Sequence, residues 1–294
     1  MPKCAFLSIA NTEGWFIDDD LVHTPLERLG WEVENIPWNQ TTDWNQFDLV
    51  IIRSPWDYQD HIEAFLKVLE TIDQSSTILL NSLDTVKWNI NKNYLFELEK
   101  KGIELIPTLK FNNLQKADIE QAFEKLKTKE LIIKPIVGAN ADDTYRINPN
   151  DTERFQKIEV IFKNKECLVQ PFVQSIVDEG EFSLMYFKGY LSHAILKTVG
   201  AGDYRVQEEH GGGVVAIKKL EVALREAGEK AMEALPNIPL YARVDLVRTP
   251  KDTFALMELE LIEPCLYFRF DDASAAKFAH TIDAYWRNLK NENT

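Results

Sequence analysis

Cysteine is scarce. Cys4, Cys167 and Cys265 are the three in 294 residues, an odd number, far apart, with no His or Cys partner at metal-ligand spacing. This excludes a disulfide framework and a thiolate metal site and leaves them as small apolar residues. Long hydrophobic runs are missing too: none approaches the roughly 20 residues that span a bilayer. The apolar start, Met1 to Ile9, is too short for a secretory leader, so a cytoplasmic protein without a membrane partner is expected. Positive charge is in deficit, with 33 Lys and Arg against 47 Asp and Glu and a net charge of −14. No basic stripe with interleaved aromatics is present, so nucleic acid is not an expected partner. The five histidines show no HExxH pattern, which removes support for a zinc hydrolase. Ser8, Ser54 and Ser183 lack a nucleophile-elbow context. Gly138 and Gly211-Gly212-Gly213 match neither a Walker loop nor a dinucleotide fingerprint.

What is present is a core. The chain is 45% hydrophobic and 11% aromatic, with seven Trp, enough for two or three subdomains. Cys4–Ile9 and Phe47–Arg53 read as buried strands, the second broken at Ser54-Pro55, with helical spacing around them at Leu21, Leu26 and Leu29 and at Ile62, Phe65, Leu66 and Leu69. Alternating strands and helices imply a parallel sheet whose strand ends bind ligands, which draws attention to Arg53. Thr77–Asn81 reads as a third strand, followed by a helix capped by Ser82 or Asp84 and running to about Lys101, with Lys92 on it. Glu130–Lys134 is a strand stopping at Pro135, and Val137–Thr144 is a small polar loop. Cys167–Val173 is a strand, and Glu181–Phe187 with Tyr190–Lys197 is a hairpin across Lys188-Gly189. A long glycine-bearing loop leads to a helix over 218–235, two strands, and a closing helix near 273–290. The fold class is therefore α/β, partly antiparallel (α+β) in the C-terminal half.

Lys92 and Lys134 are candidate anion ligands, although a lone lysine at a strand end usually snorkels to solvent. Tyr241–Leu246 and Leu256–Leu261 alternate as strands, and the i, i+2 spacing puts Glu258 and Glu260 on one face. Two adjacent carboxylates suit Mg²⁺ held against phosphate, with Asp245 completing the set. Alone, the pair reads equally as a solvated acidic face.

In order, a lysine-bearing helix, a strand ending Ile-Lys-Pro, Leu-Val-Gln-Pro-Phe-Val, Glu-Gly-Glu-Phe-Ser-Leu, Tyr-Ala-Arg-Val-Asp-Leu and Met-Glu-Leu-Glu-Leu-Ile-Glu-Pro resemble the ATP-grasp superfamily across essentially the whole chain. The branch resembled is that of prokaryotic glutathione synthetase and D-alanine:D-alanine ligase. Arg53–Tyr58, Lys87–Leu95 and Met257–Pro264 look most like the O-ureido-D-serine cyclo-ligases of the D-cycloserine pathway and their relatives. The resemblance implies an N-terminal α/β subdomain (1–83), a lid (84–172) and a mixed-sheet C-terminal subdomain with the metal site (173–294). It implies an ADP-producing carboxylate–amine ligase using ATP and Mg²⁺, or Mn²⁺, on a small amino-acid-like substrate, with a homodimer allowed for. Lys92, Lys134 and Gly138 would meet phosphate, Gln170, Pro171, Phe172 and Val173 the adenine, and Glu181 or a nearby carboxylate the ribose. Asp245, Glu258 and Glu260 would hold two Mg²⁺, with Glu260 standing where Asn is usual. Arg243 would stabilise the acyl phosphate, and Arg53, Arg205 and His210 are candidates for the acceptor side. An intramolecular ligase, an intermolecular amino-acid or peptide ligase and a nucleotide-binding module without turnover all remain open.

Overall fold

A computed structural model describes residues 1–138, 142–206, 208 and 211–292. His210 lies outside the described residues, as do residues 139–141 of the small polar loop. The first sheet contains β1 (Lys3–Ser8), β2 (Glu32–Pro37), β3 (Leu49–Ser54) and β4 (Ile78–Leu80), all parallel, in the order β2-β1-β3-β4. β3 is buried along its whole length because both faces are covered. Side chains alternate accordingly. Cys4, Phe6, Leu49 and Ile51 meet Phe278 and Ile282 of the closing helix Ser274–Glu292, while Ala5, Leu7, Val50 and Ile52 meet Phe65, Leu69 and Ile72 of the helix Ile62–Asp73. β2, a charged edge strand, was not expected from the sequence.

The second sheet, β5 (Leu109–Phe111), β6 (Leu131–Pro135), β7 (Tyr145–Ile147) and β8 (Cys167–Pro171), is antiparallel in the order β5-β8-β6-β7. Its helices Lys116–Lys125 and Thr152–Ile161 bury Ile119, Phe123, Phe155 and Ile158 against Leu131, Ile133 and Val169. The third sheet contains β9 (Glu181–Phe187), β10 (Tyr190–Thr198), β11 (Gly213–Ala216), β12 (Tyr241–Arg248) and β13 (Phe254–Glu260), in the order β11-β10-β9-β12-β13. Its ladders are antiparallel, and an isolated parallel bridge, Leu105 to Leu256, makes it mixed.

One face of the third sheet carries Phe182, Leu184, Tyr186, Ala242 and Val244 onto the helix Val222–Glu233. Gly228 permits this approach, since a Cβ there would lie 2.4 Å from the Tyr186 hydroxyl. The opposite face changes character along the strands. At one end Met185, Phe187, Ile195 and Tyr241 join the core beneath the first sheet. At the other end the same parity brings Lys197, Glu181, Ser183, Arg243 and Asp245 together, and this charged end forms one wall of the cleft.

The helix expected from 84 to 101 is two helices, Leu83–Asn89 and Tyr94–Lys100. Ser82 caps the first by accepting from the Thr85 N–H. Tertiary bonds cause the break: the Asn89 side chain donates to the Leu259 carbonyl and accepts from the Leu261 N–H, and the Lys92 N–H donates to the Ile136 carbonyl. Lys92 therefore lies in the break and not on a helix.

Candidate active site

The main cleft lies between the second and third sheets. Lys92, Lys134, Gly138, Gln170, Pro171, Phe172, Val173, Glu181, Arg205, Arg243, Asp245, Glu258 and Glu260, all expected from the sequence, line it. Arg53 does not. It is 1% exposed, donates to Asp19 at 2.9 Å and to the Pro264 carbonyl at 3.0 Å, and sits 4.8 Å from the Tyr241 ring centre. The expectation that Arg53 reaches the acceptor is thus corrected: a central strand with both faces covered turns its terminal arginine inward to a buried carboxylate. Arg205 lines the cleft but is held by Asp203 at 2.8 Å.

The charged wall follows from strand register. Asp245 faces Ser183 on one side and Glu258 on the other, and Arg243 faces Glu260. Asp245 accepts from Ser183 at 2.5 Å, from Arg243 at 3.0 Å and from Lys197 at 3.5 Å. Burial pushes its carboxyl up, but the Arg243 and Lys197 charges win and hold it at about 2. Glu258 pairs with Lys92 at 3.0 Å, and the same ammonium donates to the Gly138 carbonyl at 2.6 Å. Burial of Glu258 is outweighed by Lys92 and Lys134, so its carboxyl lies below the ordinary value. Glu260 accepts from Arg243, yet burial, with Asp245 and Glu258 beside it, drives its carboxyl up to about 8. Burial lowers the Lys134 amine, and among the described residues no carboxylate pairs with it.

Lys197 was missed. It is 5% exposed and bridges Glu181 at 2.5 Å to Asp245. A lone lysine in an alternating strand carries no signal, and only the pairing of Lys197 with Glu181 across the hairpin would have revealed it. The far end of the cleft was also missed. There Trp15 and Trp56 lie 5.3 Å apart, near Tyr58 and Glu263, whose carboxyl burial pushes up to about 7. At the β8 end, Arg146 stacks 3.6 Å over the Phe172 ring and is itself held by Glu130 at 2.9 Å, making a flat, rigid surface.

Among the described residues, no three His, Cys, Asp or Glu side chains converge into a ready-made metal centre. Asp245, Glu258 and Glu260 are each turned to a lysine or arginine of the protein. Their oxygens are nevertheless hard donors on adjoining strands of one wall, with Lys92 and Lys134 alongside, and this donor set fits a divalent cation bridged to polyphosphate.

The family described as D-cycloserine synthetase DcsG, N-terminal domain, matches residues 4–81. The cycloserine biosynthesis protein DcsG of Streptomyces lavendulae is 27% identical over 273 residues, which is 86% of this chain and 89% of that protein. The crystal structure of D-cycloserine synthetase DcsG superposes with a TM-score of 0.86 at 25% identity, covering 97% of this chain and 99% of that one. D-alanine–D-alanine ligase from Bacillus anthracis superposes with a TM-score of 0.69 at 14% identity over 100% of both chains, a likeness of fold alone. The chain has the ATP-grasp fold of carboxylate–amine ligases and is similar over nearly its whole length to D-cycloserine synthetase DcsG.

Proposed function

We propose that this chain uses ATP and Mg²⁺ to activate the carboxylate of a small amino-acid-like molecule as an acyl phosphate, which a nitrogen nucleophile then attacks. The observation that carries the reading is Lys134, a cation facing the cleft with no carboxylate partner among the described residues, next to Lys92 and opposite three carboxylates. An anion with a hard cation attached satisfies both sides at once.

In this reading the second sheet acts as the lid over the third. The adenine lies against Gln170–Val173 and the Phe172 ring backed by Arg146, and Glu181 meets the ribose. Lys92 and Lys134 neutralise the phosphates and orient the terminal one in line with the entering carboxylate. Asp245, Glu258 and Glu260 would hold Mg²⁺, which when bound supplies charge shielding to the polyphosphate. Arg243 stabilises negative charge as the nitrogen adds and phosphate leaves. The walls exclude water, which would otherwise hydrolyse the acyl phosphate.

The relatedness to D-cycloserine synthetase favours ring closure within one substrate. The test is ADP release by the full chain with ATP, Mg²⁺ and a panel of amino carboxylates, singly and in pairs. With one substrate, ADP release and a product of that substrate's mass less water support cyclisation, and a product joining two molecules, alike or different, supports intermolecular ligation. Nucleotide binding without ADP release across the panel would sink the proposal.

A further inference from the structure

Tyr267 is held in a costly shape. Its backbone is left-handed, with φ 51° and ψ 42°, a region that is unfavourable for an L residue carrying a Cβ and rare for a bulky one. The other left-handed non-glycine residues among those described, Lys127, Asp143, Asn164, Lys188 and Asp252, are polar and lie in turns or bends, and none is buried. Tyr267 is 7% exposed. Such a conformation persists only where the surroundings over-determine it. Here each carbonyl from Glu263 to Phe268 accepts a hydrogen bond. The Trp56 indole N–H donates to Glu263 at 2.9 Å, Arg53 to Pro264 at 3.0 Å, Arg243 to Cys265 at 3.3 Å and the His193 Nε2 to Leu266 at 2.8 Å. The Phe270 N–H donates to Tyr267 at 3.0 Å and the Ser274 hydroxyl to Phe268 at 3.2 Å.

This fixed segment brings the Tyr267 side chain to the cleft wall. The ring centre lies 5.9 Å from the Arg243 guanidinium and 5.3 Å from that of Arg269, so two cations steady the ring. Its hydroxyl has no hydrogen-bond partner among the described residues. Nor is the oxygen sealed in the core, since the fully buried, unpartnered side-chain atoms belong to Gln59, Thr77 and Tyr186. The hydroxyl therefore opens on the cleft. Burial holds the phenol well above its ordinary value, against the pull of Lys197 and Arg243, so it stays neutral and can donate. A neutral donor beside two cations and next to Asp245 is chemistry that suits an anionic oxygen, which a phenolate would repel.

We propose that Tyr267 is a further catalytic residue: its hydroxyl donates a hydrogen bond to an oxygen of the nucleotide's terminal phosphate and keeps that bond as the phosphoryl group is transferred. This rests on the ligase reading above. In the transfer, a carboxylate oxygen forms the new bond to phosphorus while the bond to the ADP oxygen breaks and its electron pair leaves with ADP. Tyr267 retains its proton throughout. The rigid loop pre-aligns the donor, so no reorganisation is needed when charge shifts on the phosphoryl oxygens.

The test is calorimetric titration of the full chain, in excess Mg²⁺, with ADP and with the non-hydrolysable imido analogue of ATP, which carries the terminal phosphate that ADP lacks. Tyr267→Phe removes the hydroxyl and keeps the ring between its two guanidiniums. It is expected to weaken the triphosphate analogue about tenfold or more, since a hydrogen bond to a charged group is lost, and to leave ADP within about threefold of wild type. A merely structural role would move both nucleotides together. Tyr267→Asn, whose side chain tolerates the left-handed backbone, is expected to show the same selective loss and serves if the Phe variant does not fold. Equal weakening of both nucleotides, or no weakening of either, overturns the proposal and leaves the ligase reading standing. A wild type that binds neither nucleotide overturns both.

Discussion

Replacing Glu258 with Gln removes one charge from the wall and keeps its shape. Two consequences can be worked separately. The carboxylate is 3.0 Å from Lys92, with side-chain exposures of 32% and 9%. Breaking a fully buried pair costs about 3–5 kcal/mol and an exposed one about 1 kcal/mol or less. Glu258 lies between these cases, the Gln oxygen still accepts a hydrogen bond, and Lys92 keeps the Gly138 carbonyl. A loss of about 1–2 kcal/mol follows, read as a fall of a few degrees in melting temperature. The chemical effect should be much larger. A lost hard ligand costs several kcal/mol of charge stabilisation, hence at least about a hundredfold in turnover. Thermal unfolding and ADP release on one preparation measure both. A turnover within about threefold of wild type, with the small melting shift present, would leave Glu258 as a mere partner of Lys92 and refute its place among the metal ligands.

Arg53→Leu should destabilise the ligand-free protein by about 3–5 kcal/mol, because Asp19 would be left buried and uncompensated, while the KM of the folded fraction stays unchanged; denaturant unfolding with steady-state kinetics checks this. Gly228→Ala should destabilise by about 1–3 kcal/mol, since its new methyl group would press on Tyr186 and Leu184; chemical unfolding measures it. The Glu263 carboxyl rises from an ordinary 4.5 to about 7 on folding. The stability it permits is therefore complete below 4.5 and lost as pH rises through about 7. The melting temperature of Glu263→Gln relative to wild type should rise between pH 5 and pH 8, and a constant offset would contradict the raised value of this carboxyl.

Much of this was legible because period and order carry it. The strands β1 and β3 follow from short apolar runs, the β9–β10 hairpin from its Lys188-Gly189 turn and the acidic pair on β13 from alternation, and the ordered motifs link them. What was not legible depends on partners far away in the chain. Arg53 looked like a ligand at a strand end because its anchor, Asp19, is 34 residues earlier and in no recognisable motif. Lys92 looked helical because apolar spacing runs unbroken from Val86 to Leu98; the break comes from bonds to Leu259, Leu261 and Ile136. β2 and β11 are edge strands, polar or exposed, so neither shows a buried run. Lys197 and Glu263 escaped notice because a lone charge gains meaning only from what surrounds it.

On the proposed reading, the charge balance of the wall would let a protein of net charge −14 hold a polyanion. Glu181, Asp245 and Glu258, with Glu260 whose carboxyl burial raises to about 8, stand among Lys92, Lys134, Lys197 and Arg243. These groups are mostly paired with one another, so the wall carries little net field, and long-range repulsion is screened within about 8–10 Å at ordinary salt. A polyphosphate carrying divalent cations is itself close to neutral. In that reading its arrival would import little net charge and would exchange partners, the lysines turning to phosphate and the carboxylates to metal. Either half alone would leave one set of the protein's charges stripped of partners in a poorly solvated cleft, which the desolvation of buried charge disfavours. Glu260 then reads differently from the Asn that the resemblance to ATP-grasp ligases leads one to expect at this position. Glu260 accepts from Arg243, so on the proposed reading whatever draws Arg243 toward the substrate would also free Glu260 for the cation.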